Sequence, residues 1–488
     1  MEKFYITTPI YYATAGPHIG HAFTTIIADV LARWNRLNGK EVFFLVGTDE
    51  HGSKIEKSAK EAGMPPKDFV DKIAAEYDSV WKKLNISYDK FVRTTDEAHE
   101  KAVKEFVSLV WDNEDIYKSK YEGWYCLPDE TFVLESELKD GKCPQCGRPV
   151  QRLTEDAYFF SLSRYRDNLL SLFESNPDFV IPKSRANEIK NILMEGLKDV
   201  DITRKSVSWG IKFPYDEGQT VYVWFDALVN YISAIGWPDG NGFSRFWPAD
   251  VHLVGKEITR FHATLWPAML LSADIELPNK ILSHGWWTVE GQKISKSLGN
   301  VINPLDIVNK YSADALRYFL IREKPVWEDG DFSEKALVAK INGELLADLG
   351  NLIARVLTLA ERFTEVFEGE DELSNHLNIS KIIENFERYD VNGALNEIWA
   401  FVRSVNKYIN DKEPWKLTGK ALGKVLNNAL EALRILSILL YPFIPSSAEK
   451  ISTQLGLKIG VVDDCKIEKF TGKVKRGENL FDKIVVKA

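Results

Sequence analysis

Only four cysteines occur in 488 residues, too few for a disulfide scaffold. Three of them, Cys126, Cys143 and Cys146, fall in one short region, and Cys465 stands alone. Long apolar runs are missing too. None reaches the roughly 18 residues that a membrane-spanning helix needs, and the opening MEKFYITTPIYY is too punctuated by polar residues for a signal peptide. No membrane partner and a cytoplasmic location are therefore expected. Positive charge is not in excess either. With 62 Lys and Arg against 71 Asp and Glu, the net charge is −9, so a nucleic acid would have to meet local basic patches. Low-complexity tracts and internal repeats are absent. The 45% hydrophobic and 27% charged residues fit a globular chain, and its length predicts two to four domains.

What is present begins as a β-α-β unit. KFYITTPIYY is rich in β-branched and aromatic residues and predicts a strand. Ile19, Phe23, Ile26, Ile27, Val30, Leu31 and Trp34 then fall at helical spacing, closed by Asn38-Gly39. EVFFLVGTDEHG is a continuous apolar run ending in acids, as in a buried parallel strand. Helices are expected near 52–62 and 66–84, and a short strand at DKFVRTT. This is a doubly wound, nucleotide-type α/β pattern, whose ligands sit beyond the carboxyl ends of the strands. From about Tyr121 to 215, short pieces, turns and the cysteines suggest an insertion. Strands are expected again at TVYVWFDAL and DVHLVGKEI, and beyond about residue 335 the pattern is that of an α-helical bundle.

Two stretches carry chemistry. His18 and His21, in GPHIGH, lie at a strand-to-helix junction, where free N–H groups and the helix dipole favour anions. Imidazoles at i and i+3 share a face and can donate to phosphate oxygens, and Gly20 leaves room for a flat group against the backbone. A metal site would need a third ligand that the neighbourhood does not offer. GTDEHGSK resembles a P-loop but has Ser53 and Lys54 in swapped order. Its Asp49 and Glu50 would repel a triphosphate, whereas an acid at this edge suits an ammonium group. The second stretch, GQKISKSLGN, places Lys293 and Lys296 with Ser295 and Ser297 between glycines, as in a mobile cationic loop that neutralises a leaving pyrophosphate.

HIGH and KISKS, in this order, resemble the two signatures of class I aminoacyl-tRNA synthetases. Across nearly the whole chain, TTPIYYATAGPHIGHAFTTIIADVLAR, FLVGTDEHG, VYVWFDALVNYISAIGW and GKEITRFHATLWPAMLL resemble the methionyl-tRNA synthetase family. That resemblance implies a Rossmann-type catalytic sheet over 1–120 and 216–292, a connective insertion over 121–215, a stem-contact fold over 293–340 and an anticodon-binding bundle over 341–488. It implies ATP with Mg2+, L-methionine and tRNA(Met) as substrates. His18, His21, Lys293 and Lys296 would stabilise the transition state, with Gly20, Ser295 and Ser297 at ATP. Ile10, Tyr12, Asp49, Trp224, Ala227, Leu228, Tyr231, Ile258 and His262 would form the methionine pocket, Asp49 taking the ammonium and Tyr231 and His262 lying near sulfur.

By the same resemblance, Asn351, Arg355 and Trp415 would read the anticodon, Trp415 as a stacking platform. The cysteine region is similar to a structural zinc knuckle. Asp129 stands where a second cysteine is usual, so the ligand set would be Cys126, Asp129, Cys143 and Cys146; a metal-free knuckle is the alternative. The chain ends soon after the bundle, without the dimerising barrel that many family members carry, and a monomer is expected. The insertion is also short for the large editing domain of the Ile, Val and Leu enzymes. Three rivals are a cysteine-specific synthetase, a small-molecule adenylyltransferase and a non-catalytic RNA-binding paralogue. The cysteine enzyme would want zinc in the amino-acid pocket, an adenylyltransferase has no use for the helical end, and the paralogue has no use for intact His18, His21, Lys293 and Lys296.

Overall fold

A computed structural model describes residues 2–126, 131–133, 138, 140–143, 147–294, 299–363, 367 and 370–485. The apolar stretch after Lys3 makes two strands rather than one. Pro9 has no N–H to give a ladder, and it separates β1 (Lys3–Thr7) from β2 (Tyr11–Tyr12). Strands β3 (Glu41–Asp49), β4 (Lys90–Arg93), β5 (Val180–Ile181), β6 (Val251–Gly255) and β7 (Ile281–His284) complete a seven-stranded sheet. Its order is β2-β3-β1-β6-β7-β5, with β4 also on β3, and every pairing is parallel. β1 is flanked by β3 and β6, so the chain winds away from it in both directions, and this switch point opens a crevice at the carboxyl edge.

The first helix, α1 (Ile19–Leu37), is buried along most of its length and ends at Asn38, with Gly39 at φ 74° taking the left-handed step. Next come α2 (Ser53–Glu61) and α3 (Pro66–Lys83), close to the expected bounds, and α4 (Glu97–Asp112). The insertion differs from expectation. Ile116–Cys126 and Gln151–Phe160 pair in an antiparallel sheet with Thr131–Val133 and Val200–Asp201. Val180–Ile181, inside the stretch expected as insertion, joins the parallel sheet beside Ile281–Leu282. TVYVWFDAL is half strand and half helix: Asp216–Val221 pairs antiparallel with two short strands, and Val223–Ala227 is helical. A short continuous apolar run carries no period to separate the two.

The C-terminal part contains α5 (Ala313–Arg322), α6 (Asn351–Arg362), α7 (Val391–Lys412), α8 (Gly419–Leu440) and α9 (Pro445–Gln454). Helices do not continue to the end. From residue 455 the chain is a mostly irregular strap that buries Cys465, Phe470 and Phe481, and Ile484 exchanges two hydrogen bonds with Asn342. Burial pushes the Cys465 thiol up to about 12, so it is an inert packing group at neutral pH.

One buried carboxylate joins these parts. Asp29 of α1 receives Arg33 at 2.8 Å, Arg317 of α5 at 2.7 Å, and both the N–H and the hydroxyl of Ser87. Arg317 also donates to the carbonyls of Leu84, Pro442 and Phe443, linking the parallel-sheet part to the bundle. Burial pushes the Asp29 carboxyl up, but the two guanidinium groups and Ser87 prevail and hold it at about 2. Asp29→Ala would leave two buried cations without their anion, at an expected cost of about 3–5 kcal/mol. Urea unfolding measures this, and a loss below about 1 kcal/mol would overturn the assignment.

Candidate functional site

His18 and His21 sit where β2 gives way to α1, and their first role is to cap that helix. Gly20 N–H donates to His18 Nδ1 at 3.1 Å, and His18 N–H donates to His21 Nδ1 at 3.3 Å. Ile19 N–H is taken by the carbonyl of Ile302. The expected free N–H groups at Ile19 and Gly20 are therefore occupied, which corrects the simple helix-terminus picture. The donors left for an anion are on the rings. Because each Nδ1 accepts, a neutral ring carries its proton on Nε2. The two rings stack at 3.7 Å, and a Cβ on Gly20 would fall 2.9 Å from His18 Cε1, so Gly20 makes room for the capping ring as well as for a ligand.

Both histidines line a cavity of about 910 Å³ at the carboxyl edge of the sheet. Burial lowers His18 to about 4 and holds His21 well below the usual range, the latter helped by His18 itself. At neutral pH they are hydrogen-bond donors rather than cations. Ile10, Tyr12, Gly20, Asp49, Trp224 and Ile258 share the same wall. Ala227, Leu228, Tyr231 and His262 do not reach it and are buried. Trp224 stacks on Phe261 at 4.1 Å and stands edge-to-face with His262. A π-helical turn, Phe261–Leu265, presents His262. His262 Nδ1 donates to the Ile258 carbonyl at 3.0 Å, so its Nε2 accepts from the Tyr231 hydroxyl at 2.7 Å.

Asp49 ends β3. The His51 N–H supports its carboxylate, but Oδ1 is buried with no hydrogen-bond partner among the described residues. Burial first, then the nearby Asp226 carboxylate, push its pKa well up. Such a group gains from any cation placed against it.

The second motif is only partly described. The turn Glu290-Gly291, both with positive φ, folds Gln292–Lys293 back on Trp287–Val289, and Ile294 then lines the cavity of the two histidines. Ser295, Lys296 and Ser297 lie outside the described residues. So do Asp129 and Cys146, while Cys126 and Cys143 are buried in one small cluster with Leu138 and Val150. Among the described residues, no group of three or more potential ligands gathers.

In the bundle, Asn351 opens α6 and is exposed. Arg355 is held by Asn406 and Asn410 of α7 at 2.6 and 2.8 Å, and Trp415, just past the end of α7, is 53% exposed. These contacts bring Arg355 toward the end of α7 from which Trp415 projects.

Several cavity residues escaped the sequence reading. His51 and Trp209 line it, and Trp209 Nε1 donates to the Glu50 carbonyl. Glu257 lines it too, accepting from Trp286 Nε1 at 2.5 Å, and His284 bonds Thr24 of α1 at 2.8 Å. His51 carried a signal: it is the only basic residue directly following the acids of TDEHG.

Burial also lowers His262 and His284 to about 4 and His252 well down. Between pH 6.5 and about 4 the unfolded chain binds protons that the folded chain refuses. Stability is therefore expected to be full above about pH 6.5 and to fall as pH drops through this window, by about 1.4 kcal/mol per pH unit for each such histidine. His51, raised by its pairing with Asp226, acts in the opposite direction and offsets part of this. A urea midpoint that stays constant from pH 7 to 5 would overturn the expectation.

The comparisons agree with this architecture. A model of class I tRNA synthetases (M) matches residues 4–155 and 148–357, and one of the anticodon-binding domain of tRNA ligases matches 375–483. Methionine–tRNA ligases of Caldanaerobacter subterraneus and Thermotoga maritima are 47% and 46% identical, each over 99% of this chain and 79% and 81% of their own. A solved Mycobacterium tuberculosis methionyl-tRNA synthetase in complex with methionyl-adenylate is similar with TM-score 0.91 and 37% identity, over 99% of this chain and all of that one. The chain belongs to the methionyl-tRNA synthetase family of class I aminoacyl-tRNA synthetases.

Proposed function

We propose that this chain is a methionine–tRNA ligase, which joins L-methionine and ATP into methionyl-adenylate and then charges tRNA(Met). The observation that carries the reading is one cavity holding both a buried carboxylate oxygen with no partner among the described residues, Asp49 Oδ1, and the two donor rings of His18 and His21. Asp49 takes the methionine ammonium group. The methionine carboxylate is the nucleophile, so no general base is required. Its oxygen bonds to the α-phosphorus of ATP, the bond to the bridging oxygen breaks, and pyrophosphate leaves with its Mg2+. His18 and His21 donate to the phosphate oxygens from Nε2, and Lys293 and Lys296 neutralise the leaving group, with Gly20, Ser295 and Ser297 against the nucleotide. In the second step a ribose hydroxyl at the tRNA 3′ end attacks the carbonyl and AMP departs.

Ile10, Tyr12, Trp224 and Ile258 supply the cavity-facing wall of the methionine pocket, backed by Ala227, Leu228, Tyr231 and His262. Asn351, Arg355 and Trp415 receive the anticodon, with the exposed indole as the stacking surface. A monomeric state and a cytoplasmic location remain part of this reading. So does a structural zinc ion held by Cys126, Asp129, Cys143 and Cys146: two of these thiols are already buried in one cluster, and thiolates at this spacing suit zinc.

Two measurements test the reading. ATP–pyrophosphate exchange is expected with methionine and not with cysteine. His21→Asn should lower the exchange rate about 10²–10³-fold while leaving the KM for methionine within about threefold; exchange driven by cysteine, or by no amino acid, would refute the assignment. Metal analysis of purified protein should find about one zinc per chain, lost on Cys126→Ser; zinc-free protein that folds and exchanges normally removes the zinc proposal.

A further inference from the structure

Behind the cavity wall lies a hydrogen-bonded array that the reaction as described does not use. His51 Nδ1 is 2.7 Å from Asp226 Oδ2, the other oxygen of Asp226 is 2.8 Å from His99 Nε2, and His99 Nδ1 is 2.8 Å from Ser233 Oγ. These groups come from four separate places: the turn before α2, the helix Val223–Ala227, α4, and the short helix Asn230–Ser233. Asp226 is wholly buried and His51 and His99 nearly so. His51 alone of the three also faces the cavity, two residues from Asp49.

Two carboxylates, Asp49 and Asp226, thus share one buried wall. Left to themselves, like charges so placed do not both ionise, and one of the pair stays protonated. The site needs Asp49 to be the ionised one, since a neutral carboxyl group holds an ammonium ion poorly. We propose that His51 is a positioning residue for the amino-acid ammonium group: as an imidazolium paired with Asp226, it offsets part of that charge and favours Asp49 as the ionised carboxylate facing the substrate. This rests on the reading of Asp49 as the ammonium site.

The pairing acts on the two groups it joins, while burial first and then Asp226 still raise Asp49. Despite burial, Asp226 is held low by His51 and His99, and Asp226 raises His51 above the usual histidine range. Two of the charged neighbours are engaged elsewhere. Glu50 takes a bidentate Arg93 at 2.7 and 2.9 Å, and Glu56 accepts the Ser208 and Trp209 N–H groups. The Tyr222 ring is covered by Arg204 at 4.2 Å. Tyr12 stays neutral because burial, and then Asp49, raise it. Lys54 lines the same cavity, and Glu100 acts on His51 only at longer range.

The test is the pH profile of kcat/KM for methionine in ATP–pyrophosphate exchange, from pH 5.5 to 9, for the unchanged protein, H51Q, H51Q/D226N and D49N. H51Q keeps a hydrogen-bond donor and loses the charge. Its acid limb should move up by about one pH unit, a tenfold loss near pH 6.5, carried by KM with kcat within about twofold. Removing the second charge in H51Q/D226N should bring the limb back. Should that double variant fail to fold, H51K supplies the cation instead and should restore the original limb. A limb unmoved in H51Q, or moved and not reversed by either second change, overturns the role of His51. D49N separates the two readings: a KM raised at least about tenfold retains Asp49 as the ammonium site whatever His51 does, and an unchanged KM removes that site and this inference with it.

Discussion

The placement of α1 depends on a single buried carboxylate. Asp29 cannot be ionised in the interior without its partners, and those partners come from α1 itself, from α5 and from the turn at Ser87. Arg317 then spends its remaining donors on the carbonyls at 442 and 443, where α8 turns into α9. Trp34, further along α1, stacks at 3.9 Å on Phe386 beside the start of α7. One end of α1 is thereby fixed against the helical domain, and the other end carries His18 and His21. A rigid helix holds its terminal side chains more precisely than a loop would.

The same logic of charge in the interior governs the site. His18 and His21 are kept neutral by burial, and each Nδ1 takes a backbone N–H, so they offer directed Nε2–H donors. Asp226 is answered by His51 and His99, and Glu50 by Arg93. Asp49 keeps an oxygen, Oδ1, that is buried with no hydrogen-bond partner among the described residues. A buried carboxylate oxygen without a partner gains from a cation placed against it.

The sequence made the first half of the sheet readable because its signals are strong and local. A helical period ran from Ile19 to Trp34, Asn38-Gly39 supplied the stop, and Glu41–Asp49 was an unbroken apolar run. The second half was harder. Val180–Ile181 is two residues long, and its membership of the sheet depends on Ile281 and Leu282, a hundred residues away. TVYVWFDAL changes from strand to helix inside one apolar stretch. The strap after residue 455 buries its aromatics without any period at all.

Motif chemistry followed the same division. That His18, Gly20 and His21 lie together at a strand-to-helix junction, and that Asp49 is an acid at a strand's carboxyl end, follows from residue type and spacing, since both depend on a few consecutive residues. The protonation states did not follow. Which histidine is neutral, which is paired, and which carboxylate is left bare depends on contacts such as His51 with Asp226, 175 residues apart in the chain. Only the tertiary structure decides them, because the field at a buried group is set by whatever the fold packs against it and not by its neighbours in sequence.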